Sequence, residues 1–265
     1  MRKIILVFSL SMIFILMNAC IIAVVEYPDI DKSPKLDEFH RILPMQSGTT
    51  LSIDNPRGNV DVQGWDREEA EIFAEILLPL PQKTNVRFMW NIKPADVEVD
   101  QFEDVIKVTT IMKGDRESNY VDYTINVPES VKLNDIFVEK GNVFISDLYG
   151  EIKTEILYGD LEVNNYSGSL TANIVNGSVQ ATIYDLRMED KIFVTTKEGD
   201  ITIYLEEDVA VNIEAAVLNG EIFTDFDLGE IKPQEKVSTR IGEMEGGMLS
   251  LSATNGDIWI KKIAQ

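Results

Sequence analysis

Gly141-Asn142-Val143-Phe144-Ile145, Gly150-Glu151-Ile152-Lys153-Thr154, Gly159-Asp160-Leu161-Glu162-Val163, Gly168-Ser169-Leu170-Thr171-Ala172 and Gly177-Ser178-Val179-Gln180-Ala181 begin nine residues apart. In each unit the second residue after glycine is aliphatic: Val143, Ile152, Leu161, Leu170, Val179. Aliphatics two apart point to one face of a strand, and the residues between them face water. Glycine supplies the positive φ of a tight turn, and Asn tolerates the same region. Nine residues therefore make one strand and one turn.

The unit returns at Gly199-Asp200-Ile201-Thr202-Ile203, Gly220-Glu221-Ile222 and Gly256-Asp257-Ile258-Trp259-Ile260. The sixth place after glycine alternates, as Asp147, Ile156, Asn165, Ile174, so neighbouring units differ. A coil of two strands and 18 residues produces that alternation. Fixed short periods mark solenoids, which bury a core only by stacking units. Asn-Gly also closes hairpins, so an antiparallel meander or sandwich stands as the alternative to a β-solenoid-like stack.

Upstream, Leu51 and Ile53, then Val60 and Val62, alternate with polar residues across a turn at Gly58. Further period-two runs reach Val127 before Pro128. Past the N-terminus no stretch carries an apolar stripe at helical spacing, so the body reads as all-β. The expected organisation is a signal over residues 1–19, an anchor and proline-bearing linker over 20–45, and one β domain over 46–265. Within that domain, 46–130 is irregular and 131–265 regularly repeated.

Arg2 and Lys3 precede an almost wholly apolar run from Ile4 to Ala19. That is the layout of an export signal. Cys20, the only cysteine, follows the small Ala19, so cleavage between Ala19 and Cys20 with lipid on Cys20 is expected. Met17 departs from the Leu or Val usual at its place in a bacterial lipobox. The apolar run continues to Val25, long enough for an uncleaved transmembrane helix instead. Either way the body is exported and held at the envelope, by a lipid anchor in an outer membrane or on an extracytoplasmic face, or by that helix.

The net charge is −21, and loss of Arg2 and Lys3 takes the remainder to −23. Such a surface repels nucleic acid and anionic headgroups. The lone histidine, His40, falls in the expected linker, which disfavours a histidine-dependent triad and a histidine-rich zinc site. Asp160, Asp200 and Asp257 read as solvated turn residues. Trp65, Trp90 and Trp259 read as core caps or, alternatively, as sugar-stacking rings. No catalytic residue, metal site or cofactor is expected.

The run Asn55-Pro56-Arg57-Gly58-Asn59-Val60-Asp61-Val62-Gln63-Gly64-Trp65-Asp66, the later Asn-Gly units and the closing Leu249 to Ile258 resemble the bacterial "putative adhesin" β-strand-repeat family. The resemblance spans roughly Leu51 to Ile260. It implies a β-solenoid-like fold, an envelope location and frequent lipid anchoring, and no catalytic residues. The expected function is a non-catalytic structural, binding or adhesin-like module with an envelope protein or glycan as partner. The alternative is a polysaccharide-acting enzyme on a β-helix scaffold, marked by a cleft where Arg or Lys stand beside convergent carboxylates.

Overall fold

The computed structural model describes residues 35–77, 95–113, 119–227, 236–242 and 245–264. The expected signal and anchor, with Ala19 and Cys20, lie outside them, as does Trp90. Among the described residues there are twenty strands and no helix, hence none long and apolar enough to cross a membrane.

The strands are β1 (Lys35–Pro44), β2 (Thr50–Arg57), β3 (Val60–Trp65), β4 (Glu69–Leu77), β5 (Ala95–Phe102), β6 (Val105–Met112) and β7 (Tyr120–Pro128). The repeats follow as β8 (Lys132–Lys140), β9 (Val143–Tyr149), β10 (Ile152–Tyr158), β11 (Leu161–Ser167), β12 (Leu170–Asn176), β13 (Val179–Ile183), β14 (Lys191–Glu198) and β15 (Ile201–Leu205). The chain closes with β16 (Val211–Asn219), β17 (Ile222–Thr224), β18 (Lys236–Ile241), β19 (Gly247–Asn255) and β20 (Ile258–Lys262).

From β8 to β17, successive strands fall alternately into two sheets, so each pair makes one coil; β18 then pairs back on β16 before β19 and β20 form the closing coil. Leu161 of β11 pairs in parallel with Val143 one coil before and Val179 one coil after. Parallel pairing between coils identifies a solenoid-like stack rather than a meander. Antiparallel pairs occur only towards the ends, where β1 and β4 extend one sheet and β5 and β18 extend the other. These strands cover sheet edges that would otherwise offer unpaired N–H and C=O groups.

The stacking order departs from chain order at both ends. The β6–β7 coil lies outside β2–β3, and the closing β19–β20 coil lies between β14–β15 and β16–β17. The chain thus passes over one place in the stack and fills it with its last coil. Every coil contributes inward aliphatics; Val143, Leu161, Val179, Ile201, Ile258 and Ile222 form one buried column across the second sheet positions. Burying each such side chain contributes about 1.5–3 kcal/mol.

The alternation at the sixth place has a local cause. In β10 and β12, Ile156 and Ile174 point inward and are buried. In β9 and β11, Asp147 (φ 58°) and Asn165 (φ 48°) adopt left-handed backbone, a conformation that Asn and Asp tolerate best among non-glycine residues. That kink moves the next inward position by one, so Leu148 and Tyr166 fill the core instead. Asn165 Nδ2 donates to Asp147 Oδ1 at 2.6 Å, coupling the two kinks.

The domain begins earlier than the expected boundary at residue 46. Lys35–Pro44 is not linker but strand β1, paired with β4 from Lys35↔Leu77 to Pro44↔Glu69. It is an edge strand with most side chains in water, so it carries little of the apolar alternation by which strands are recognised. His40 accordingly sits on a sheet, its Nε2 2.9 Å from Glu71 Oε1.

Candidate binding site

Two corners join the sheets. At the first, Gly58, Gly141, Gly159, Gly177, Gly199, Gly256 and Gly220 stack in that order, all with positive φ. A β-carbon on any one of them would collide with a backbone carbonyl of the neighbouring coil. The residue after each glycine continues a second column. The Asn142 N–H donates to Asn59 Oδ1 (3.0 Å), Asp160 N–H to Asn142 Oδ1 (3.0 Å), and Ser178 N–H to Asp160 Oδ1 (2.8 Å). Asp200, Asp257 and Glu221 extend the ladder through Ser178 Oγ, Asp200 Oδ1 and Asp257 Oδ1. Asp160, Asp200 and Asp257 are therefore acceptors that tie coils together, not merely solvated turn residues. The signal for this was an acceptor side chain after each of these glycines.

The second corner carries Gly150 and Gly168; Gly168 has φ 128°, while Gly150 lacks positive φ. Tyr166 braces it from inside, its hydroxyl lying 2.7 Å from Gly150 O and 2.6 Å from Ser169 O. Burial pushes the Tyr166 phenol pKa up, so the group stays a neutral donor.

This corner is lengthened between β13 and β14, and less so between β15 and β16. Equivalent residues are 18 apart from Asn142 to Asp160 and from Asp160 to Ser178, but 22 apart between Ser178 and Asp200. The extra residues form the loop from Tyr184 to Asp190 between β13 and β14. Insertions in repeat proteins map to loops on one face, often the binding face. The loop is well tied down. Tyr184 N–H donates to Tyr166 O (2.7 Å), Arg187 N–H to Asp190 Oδ2 (2.9 Å), and Met248 N–H to Asp190 O (3.0 Å).

Between this loop and the outer face of the sheet lies a cleft of about 560 Å³. Tyr149 and Phe193 supply its aromatic surface, and Arg187, Lys191, Glu151 and Asp190 supply charge. The Tyr149 hydroxyl donates to Glu129 Oε2, which fixes the ring and raises the phenol pKa. Glu151 pairs with Lys153 at 2.8 Å. Among the described residues no cluster of His, Cys, Asp or Glu is placed to hold a metal ion.

The two described tryptophans, Trp65 and Trp259, lie elsewhere. Trp65 Nε1 donates to Glu69 O at 2.8 Å, and Arg67 covers its ring at 4.6 Å. Trp259 stacks on Phe223 with centroids 4.1 Å apart, on the outer face of the other sheet. Of the cleft lining, Gly150 and Gly168 were expected from sequence as turns, but Tyr149, Arg187, Lys191 and Phe193 were not singled out; the lengthened interval between Gly177 and Gly199 was the available sign.

A family model described as Toastrack DUF4097 matches residues 29–261. No curated protein matches the chain. Among solved structures, one called a putative cell adhesion protein from Clostridium sporogenes is 13% identical, covering 86% of this chain and 100% of its own, with TM-score 0.48. Another, called a putative adhesin from Bacteroides fragilis, is 13% identical over 87% of this chain and 99% of its own, with TM-score 0.33.

Proposed function

The chain belongs to the Toastrack DUF4097 family, and we propose that it is a non-catalytic, adhesin-like binding module of the cell envelope, tethered through lipid on Cys20. A fold does not assign a function; the site must. The observation that carries the reading is the inserted loop. The run of 18-residue coils is lengthened at the β13–β14 corner, and the added residues wall a cleft with aromatic and charged side chains. The carboxylates there serve as ties. Asp190 accepts the Arg187 N–H and Glu151 pairs with Lys153, so both act as supports for a rigid surface.

The cleft does place Arg187 and Lys191 beside acidic groups, the feature that favours the polysaccharide-acting alternative. One assay separates the two. Beads carrying the intact protein are expected to retain bacterial envelope fragments through washing and to leave the polysaccharide uncut. Release of smaller saccharides would contradict the non-catalytic reading, and absence of retention would contradict binding.

A further inference from the structure

We infer that the cleft under the Tyr184–Asp190 loop is a binding site for a neutral oligosaccharide, an assignment that rests on the binding-module reading above. Its volume, about 560 Å³, lies within the range of small-ligand sites. It runs from Tyr149, at the corner that leads into β10, to Phe193 in β14, two strands along the sheet from β10. At the usual strand spacing that is about 10 Å, room for more than one sugar ring.

The lining decides the ligand class. Its lining holds no Val, Leu, Ile or Met, so it offers flat aromatic surface rather than the aliphatic trough that would suit an acyl chain. Its large apolar surfaces are the rings of Tyr149, 51% exposed, and Phe193, 36% exposed. Flat aromatic rings suit the C–H face of a pyranose. The hydroxyls around that ring both donate and accept. Here they would meet donors on Arg187 and Lys191 and acceptors on Glu151 and Asp190.

Charge argues for a neutral glycan. The lining carries two cations, Arg187 and Lys191, against three carboxylates, Glu151, Glu189 and Asp190, and Arg187 is itself paired with Asp185 at 3.2 Å, in a chain of net charge −21. A polyanion would be repelled by this surface. The scaffold is also preorganised. Tyr149 is held by Glu129, and the loop by Tyr166 and Met248, so little ordering is left for binding to impose.

The test uses the intact chain in a zwitterionic detergent, so that no sugar headgroup competes. It is titrated calorimetrically with chitohexaose, cellohexaose and maltohexaose, and with a heparin hexasaccharide as the polyanionic comparison. A neutral hexasaccharide is expected to bind. Tyr149→Ala and Phe193→Ala should each weaken it about tenfold, and Tyr158→Ala, outside the cleft, should not. Thr171→Arg fills the cleft from the sheet face without touching the core; it should abolish binding with the unfolding midpoint unchanged. Preference for heparin, or full affinity in Tyr149→Ala and Thr171→Arg, would overturn the proposal. If no hexasaccharide binds while protein-coated beads still hold envelope fragments, the glycan assignment falls and the module reading stands. If neither binds, both fall. New reducing ends that vanish in Thr171→Arg would support the cleft and overturn the non-catalytic reading.

Discussion

The carbonyl oxygen of Gly159 occupies the space that a β-carbon on Gly177 would need. Successive coils meet so closely at this corner that only glycine fits, and φ at Gly177 is 149°. Gly177→Ala should therefore combine backbone strain with overpacking and destabilise by about 3 kcal/mol or more. Gly48 offers the control. Its φ is also positive, at 82°, but nothing lies within 4 Å of a β-carbon there. Gly48→Ala should cost only about 1–2 kcal/mol. Urea unfolding midpoints compare the two, and equal losses would mean that coil contact is irrelevant.

Thr154 faces the core in β10, and its Oγ1 is the buried side-chain oxygen without a hydrogen-bond partner among the described residues. Its register neighbours are Ile136 and Ala172. Thr154→Val keeps the shape and removes the stranded hydroxyl. It should stabilise by about 1 kcal/mol, read as a raised urea midpoint with unchanged slope.

Asp122 heads the corner ladder, accepting the Asn59 N–H at 2.7 Å. Burial raises its pKa above 3.8, outweighing the lowering by that hydrogen bond. A carboxyl whose folded pKa is raised binds protons better in the folded state. Its ionisation therefore opposes folding above the folded pKa, and the opposition fades as pH falls towards the unfolded value. Asp122→Asn keeps an acceptor without the charge. The variant should be the more stable at neutral pH, and its advantage should shrink on acidification towards pH 3.8. A stability difference that is flat with pH would refute this.

Cys20 follows Ala19 at the end of the apolar run. Lipidation there predicts that Cys20→Ser loses palmitate labelling and accumulates as an uncut precursor. More than one acyl chain is needed for a stable anchor. Processing of the variant to wild-type mobility would exclude the lipid. Failure of both forms to be processed would point to Ile4 to Val25 as an uncleaved helix.

How much of this was legible depends on what a local repeat encodes. The spacing of Gly141, Gly159 and Gly177 discloses the coil, because each coil must turn at the same place. The alternation of Asp147, Ile156, Asn165 and Ile174 discloses that two unlike strands make it. Spatial order is a different matter. Gly220 and Gly256 have the same local pattern, so nothing nearby in sequence says that Gly256 stacks on Gly199 and Gly220 lies beyond it. Strand β1 escaped because its pairing with β4 is a backbone property, while its exposed side chains follow no strict alternation. The cleft escaped because its residues come from several coils. Tyr149 and Phe193 are far apart in sequence and unremarkable within their own repeats.

Scaffold and cleft are separable if the inserted loop residues can be excised without loss of the fold. Deletion of residues 185–188 restores the 18-residue interval seen between Asp160 and Ser178 while leaving the glycine column whole. A β-type circular dichroism spectrum and one cooperative unfolding transition are expected, with stability lowered by about 2–5 kcal/mol because the deletion also removes the buried Leu186. Beads carrying the deleted protein should no longer retain envelope fragments. Retention at the wild-type level by the folded deletion protein would contradict the assignment of binding to the cleft.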